Sequence, residues 1–183
     1  MNRLSKRLTV FAAVLTLGAA VLGGCASAPT PADYAAEKPV LDLKTYFNGE
    51  MLAHGLFTDR SGKVVRRFTV QMTGSWEGKQ GTLDERFTYS DGKTERRVWK
   101  LTDEGNGRWT GRAGDVVGVA EGQAAGNALN WRYTLSLPVD DKVYEVQFDD
   151  WMYLMDDKVM LNKAVMSKFG FRLGEVTLSF YKK

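Results

Sequence analysis

The sequence predicts an all-β domain, an antiparallel up-and-down β-barrel of about ten strands. Three observations carry that prediction. From Leu43 onward, apolar side chains recur at every second position in short runs, the period of a strand with one buried face. The runs are separated by turn chemistry rather than helix caps: Asp59-Arg60-Ser61-Gly62, Glu77-Gly78-Lys79, Ser90-Asp91-Gly92, Glu104-Gly105-Asn106-Gly107, Gly126-Asn127 and Asp140-Asp141-Lys142. Within the same region no stretch sustains a helical apolar period over three turns. Such short connections favour next-neighbour hairpins, hence one strongly curved or closed sheet; a two-sheet sandwich is the alternative.

The chain opens with an address rather than a fold. Arg3, Lys6 and Arg7 precede the apolar run Leu8–Leu22. That run is shorter than the roughly 20 residues a spanning helix needs, and with its basic flank it reads as a secretory signal peptide over residues 1–24. It ends in Leu22-Gly23-Gly24-Cys25, which resembles the bacterial lipobox. The resemblance implies cleavage before Cys25, diacylation of its sulfur and acylation of its new amine. Each buried CH₂ of such chains contributes about 0.8 kcal/mol, so the lipid on Cys25 would hold the protein to a membrane. Ala26 follows the cysteine where an aspartate would retain the protein at the inner membrane; by resemblance to Gram-negative lipoprotein sorting, this implies the outer membrane, facing the periplasm. The competing readings are an ordinary signal peptide with an isolated cysteine, or an uncleaved anchor. Cys25 is the only cysteine, which leaves no disulfide framework and no cysteine-based metal site.

Processing would also change the charge. Three of the 25 Lys and Arg leave with the signal peptide, and the remaining 22 balance 22 Asp and Glu. A formally neutral mature chain gives no support to a nucleic-acid partner.

Residues 25–39 hold three of the four prolines and little that can pack. They read as a flexible tether that reaches about 40 Å when extended. Residues 40–183 are then one domain, long enough to bury a core. Within it, Thr45–Gly49 reads as a lead-in turn. Strands are expected over 50–58, 63–76, 81–90, 94–102, 108–113, 116–123, 128–138, 143–155, 158–167 and 172–181.

Shared apolar faces then set the register. A three-residue loop at Ser90-Asp91-Gly92, with Gly92 left-handed, pairs Tyr89 with Lys93, Phe87 with Glu95, Glu85 with Arg97 and Leu83 with Trp99. A four-residue Asp59–Gly62 loop puts Met51, Ala53 and Phe57 on one face with Val64, Phe68 and Val70, and turns His54 outward beside Arg67. A Val139–Lys142 loop pairs Leu137 with Tyr144, Leu135 with Val146, Tyr133 with Phe148 and Trp131 with Asp150.

Candidate chemistry concentrates in Val143–Phe169. Tyr144, Val146 and Phe148 alternate inward, and Asp150 then arrives where the pattern calls for an apolar side chain. Asp149 and Asp150 are neighbours in a strand, so a regular backbone points them to opposite faces and they cannot share a proton. Asp150 is therefore a candidate polar anchor for a ligand head group inside the barrel. A bulge that turns both carboxylates outward, or an internal salt bridge to an arginine, are the alternatives. Glu85 and Arg97 sit opposite one another on an aromatic-bearing face. They form either a cross-strand ion pair or a fork that recognises a carboxylate or phosphate. With Trp99, Trp131, Tyr133, Tyr144 and Phe148 they complete the candidate ligand-binding set. A ten-strand barrel is often wider than its own side chains fill, and the methionines between Met152 and Met166 would give it an adaptable lining. His54 is the sole histidine and lacks a partner at zinc-ligand spacing. No nucleophile elbow, phosphate loop or dinucleotide fingerprint is present, and no cofactor is expected.

The segments Phe57–Val70, Gly81–Trp99, Gly122–Leu135 and Val143–Gly170 resemble the family of bacterial lipoproteins catalogued as domain of unknown function 3833. The resemblance implies a Gram-negative envelope lipoprotein and carries no catalytic residue. The barrel is also loosely similar to lipocalins (calycins), although their Gly-x-Trp opening is not matched where Phe47-Asn48-Gly49 is followed by Glu50.

The expected role is binding of a lipid or other apolar small molecule. The alternatives are an envelope scaffold with a packed interior, its protein partner open, or an enzyme using Asp150, Glu85 or Tyr144 as acid or base.

Overall fold

The computed structural model describes residues 27–139 and 141–183. The signal-peptide reading of residues 1–24 and the lipidation assigned to Cys25 therefore lie outside the described residues. Ten strands follow one another: β1 Gly49–Asp59, β2 Val64–Glu77, β3 Gln80–Tyr89, β4 Thr94–Gly105, β5 Arg108–Arg112, β6 Ala120–Ala125, β7 Ala128–Val139, β8 Lys142–Leu154, β9 Val159–Lys168 and β10 Phe171–Lys182. Each pairs antiparallel with the next, and β1 pairs with β10, so the meander closes into a barrel. Closure settles the choice against a sandwich. It satisfies both edge strands with each other rather than leaving their N–H and C=O groups to solvent or to another chain.

The inward residues form one core running from Met51, Ala53, Val70 and Leu83 round to Met160, Ala164 and Phe180. Pairing follows the alternation of side chains. Glu85 lies opposite Arg97 and Leu83 opposite Trp99; Trp131 lies opposite Asp150 and Tyr133 opposite Phe148. The first hairpin differs in detail. Asp59 N–H donates to Lys63 across a three-residue loop, and a bulge between Phe57 and Thr58 then restores a common face for Phe57, Phe68 and Val70. The bulge moves Val64 out of the inward set, so it is exposed. His54 is exposed as expected, but its partner is Thr69, with Arg67 opposite Leu56.

Several aromatic rings fit because a glycine faces them. Gly122 is the partner of Trp131, and a Cβ at Gly122 would come within 2.2 Å of that indole. Gly55 leaves the same space for Phe68. These glycines serve the sheet wall, not its corners or turns.

One end of the barrel is plugged. The expected lead-in turn is a single helical turn, α1 (Leu43–Tyr46), capped where the Asp42 carboxylate accepts from Thr45 N–H at 2.6 Å. It buries Leu43, Tyr46 and Phe47. The Tyr46 hydroxyl donates to Lys158 C=O at 3.0 Å, and the Lys182 ammonium donates to the carbonyls of Thr45, Tyr46 and Asn48. A cation on the last carbonyls of a helical turn is favourable both as hydrogen bonding and as charge. The turns after β1, β3, β5, β7 and β9 lie at the other end, which is open.

Two further expectations change. The tether reading of 25–39 does not extend to its described second half. Pro31–Tyr34 forms a 3₁₀ turn, the Tyr34 ring packs 5.6 Å from Trp151 and 5.3 Å from Tyr153, and Leu41 N–H donates to Gly126 C=O. Tyr34 finds an outward aromatic pair on β8 that composition alone did not reveal. The strand expected over 116–123 begins only at Ala120. Residues 113–119 form a loop whose Val117 N–H donates to Thr134 and whose Asp115 C=O accepts from Ser136 N–H.

Candidate functional site

The shortness of β5 and β6 shapes the site. β4 pairs with β5 only from Lys100 to Gly105, and β7 pairs with β6 only from Ala128 to Arg132. Toward the mouth, the 113–119 loop spans the space between β4 and β7. Its described backbone bonds to the strands go to β7; the link to β4 is a side-chain one. Arg97 Nε and Nη2 donate to the Asp115 carboxylate at 2.9 and 2.7 Å, a two-pronged, charge-assisted contact.

The barrel encloses a cavity of about 860 Å³, within the range of small-molecule sites. Leu43 and Phe47 form its floor, aliphatic residues such as Leu83, Leu101, Leu129 and Met152 its lower wall, and Asp59, Val65, Pro138 and Leu173 its rim. One side is aromatic. Trp99 meets Trp131 and Tyr133 edge-on at 5.8 and 5.6 Å, and Tyr133 stacks on Phe148 at 5.0 Å.

The polar groups deep in this cavity are few and buried, while Asp59, Arg66 and Glu95 line its mouth. Pairing is regular through Asp149 and Asp150 on both sides, so no bulge turns them. Asp149 faces outward to Asn130 and Arg132, while Asp150 is buried at 6 % exposure. Asp150 accepts hydrogen bonds from the Asn162 amide and the Tyr133 hydroxyl; among the described residues no arginine reaches it. Burial pushes its carboxyl up from 3.8 to about 7, and these two bonds only partly oppose the rise. Glu85 is also buried, and burial lifts it to about 7 although Arg97 pulls the other way. Arg97 stands 3.7 Å from Glu85, too far for a hydrogen bond, so Glu85 Oε2 has no partner; nor does Asn162 Oδ1. Burial opposes the charge on Arg97, but Glu85 and Asp115 outweigh it and hold the guanidinium charged. Burial also pushes the Tyr133 hydroxyl well up, so that it remains a donor.

Asp150, Glu85, Arg97, Trp99, Trp131, Tyr133 and Phe148 all line this one cavity. Tyr144 does not. It points inward in parity but lies at the mouth, 37 % exposed, beneath the Lys168 ammonium, because β8 extends beyond the enclosed part of the barrel. Two polar residues were missed. Asn162 interrupts the inward series Met160, Ala164, Met166, the same signal that marked Asp150. Asp115 carried no signal, since its role depends on the loop that replaces the expected strand start.

The family described as "Protein of unknown function (DUF3833)" matches residues 19–182. No curated protein matches the sequence. Among solved structures, the S-type phycobiliprotein lyase CPES from Guillardia theta is similar, with a TM-score of 0.55 at 6% identity, over 74% of this chain and 88% of that one. That likeness is one of fold, a lipocalin-like barrel. A protein of unknown function from the DUF3598 family of Nostoc punctiforme PCC 73102 aligns with a TM-score of 0.48 at 13% identity, over 85% of this chain and 53% of that one.

Proposed function

The chain belongs to the DUF3833 family of proteins of unknown function, and we propose that it binds a lipid or other apolar small molecule inside the barrel. The observation that carries this reading is the cavity of about 860 Å³, aliphatic at its floor and aromatic on one side. An interior of that size, in a chain able to fill it with larger side chains, favours a guest. The barrel shared with the phycobiliprotein lyase is consistent with a small-molecule site. In the same proposal, the Leu22-Gly23-Gly24-Cys25 sequence supports a lipid-anchored protein of the Gram-negative outer membrane, facing the periplasm.

The polar groups narrow the guest. Deep in the cavity the unpartnered atoms, Glu85 Oε2 and Asn162 Oδ1, are acceptors, and the fork of Arg97 is occupied by Asp115; nearer the mouth the unpartnered atom is the Arg66 Nε donor, on a guanidinium bonded to Asp91. A guest that offers donors (a hydroxyl, an amide N–H or an amine) on an apolar body would satisfy them. A free carboxylate would meet Asp150 and Glu85, and the lining cations Arg97 and Arg66 are already paired with Asp115 and Asp91. This favours a donor-bearing lipid over a fatty acid.

Native mass spectrometry of the protein purified from an envelope, followed by organic extraction, tests the first step. A stoichiometric apolar molecule is the expected finding. A protein that arrives empty and takes up no long-chain alcohol, amine or acid would remove the binding reading. Displacement of an apolar dye tests the second step: the alcohol and amine are expected to compete, and preferential competition by the acid above neutral pH would overturn the head-group assignment. Asp150 and Glu85 near neutrality also suit acid–base chemistry. That second reading requires Asp150→Asn to abolish turnover of the extracted molecule while leaving its binding intact.

A further inference from the structure

The tip of the β9–β10 hairpin is built against the preferences of its own backbone. Lys168 pairs with Phe171, so the turn consists of Phe169 and Gly170 alone. Both are left-handed, with φ of 51° and 79°. A two-residue turn of this kind asks for Asn or Asp followed by Gly, because a side chain with a bulky Cβ substituent is strained at positive φ. Phe169 meets that demand poorly, and its ring is not buried in return: it is 85 % exposed, and Phe171 beyond the turn is 76 % exposed. Among the described residues these are the exposed phenylalanines, and both stand at the open end.

They do not stand alone. Val143, Tyr144 and Leu173 are exposed beside them, and Leu173 also lines the cavity. Exposed apolar side chains therefore lead from the hairpin tip to the mouth. Cations flank it. The Lys168 ammonium lies 4.6 Å from the Tyr144 ring and 5.1 Å from the Phe169 ring, Arg172 is held by Glu175 at 2.9 Å, and Lys142 begins the neighbouring strand. Asp141 and Glu145 share this end, so the positive charge is local to the hairpin. A narrow convex tip that offers two rings between cations suits insertion into the interfacial layer of a bilayer. It does not suit the broad, flat burial of a protein partner.

We propose that the Lys168–Leu173 hairpin is a membrane-insertion finger. Phe169 and Phe171 enter the acyl boundary of a bilayer containing anionic phospholipid, Lys168 and Arg172 meet its phosphates, and the cavity mouth is set against the lipid. The finger rests on the binding reading only for what it would load or unload, and insertion is measured separately from ligand uptake.

The test uses the full chain reconstituted in vesicles of phosphatidylethanolamine and phosphatidylglycerol, with Cys25→Ser as the control for off-site labelling. A nitroxide is placed at Phe169→Cys or, for comparison, at Asp91→Cys on the β3–β4 tip. Collision with oxygen and with a water-soluble nickel chelate is then compared at the two positions. The label at 169 should be shielded from nickel and reached by oxygen, while the label at 91 should show the reverse. Equal nickel access at both sites would overturn the proposal, as would shielding at 169 that persists without vesicles because two copies associate. A second measurement separates function from fold. Phe169→Asn with Phe171→Asn should leave the melting temperature unchanged or higher, since Asn suits the turn. The same pair should abolish the shielding of a label at Val143→Cys. A lowered melting temperature together with retained shielding would make the two rings structural and the finger wrong.

Discussion

Replacing Asp150 by Asn separates a group kept for function from one kept for stability. In the folded protein this carboxyl is buried, and burial raises it from 3.8 to about 7. In the unfolded chain it ionises near its ordinary value. Below about pH 4 both states hold the proton and the group costs nothing. Between about pH 4 and 7 the unfolded state releases it and the folded state keeps it, so stability falls as pH rises; above about pH 7 the loss is complete. A shift of roughly three units corresponds to a ceiling on the order of 4 kcal/mol. The amide keeps the shape and can still accept from the Tyr133 hydroxyl, and a flip of the Asn162 amide, which gives up its bond to Trp151 C=O, lets it donate to the unpartnered Asn162 Oδ1. Asp150→Asn should therefore match the parent below about pH 4 and exceed it by a few kcal/mol above about pH 7, measured as the difference in urea unfolding free energy. Taking the difference cancels the surface carboxylates, such as Asp84 and Asp91, which are held low by their arginine partners. A variant less stable than the parent above neutrality, or a difference that does not change with pH, would refute the claim that Asp150 is a buried, desolvated acid.

Three other outcomes follow from the same geometry. Asp115→Asn takes the fork partner from Arg97 and loosens the link between β4 and the 113–119 loop. It should cost about 2 kcal/mol in thermal unfolding, less than a fully broken buried pair because Glu85 remains nearby, and should speed hydrogen exchange in β4 and the loop; unchanged exchange would contradict the link. Gly122→Ala drives a methyl into Trp131 and should cost about 1–3 kcal/mol with a changed tryptophan emission, whereas a neutral result would mean that the indole is not held there. Ala164→Phe fills the cavity opposite Asp150 and should weaken apolar dye binding by roughly tenfold or more while the far-ultraviolet spectrum is preserved; undiminished binding would place the dye elsewhere.

The strand content, the hairpin partners and the inward position of Asp150 were legible because they follow from a period of two and from turn residues, both local properties of the chain. Where a side chain breaks the inward apolar series, the sequence marks the site. Asp150 shows it, and Asn162 would have been found by the same test. Tertiary structure decided what locality cannot reach. Closure of β1 on β10 turned a curved sheet into a cavity, and α1 closed one end of it. The pairing limits of β5 and β6 brought Asp115 to Arg97, so that the guanidinium of the expected Glu85–Arg97 ion pair also ties the wall across a gap. Tyr144 shares the parity of Phe148 yet lies outside the cavity, because depth along a barrel depends on where the neighbouring strands end. Alternation assigns a face; only the assembled wall sets depth, enclosure and the distance between charges.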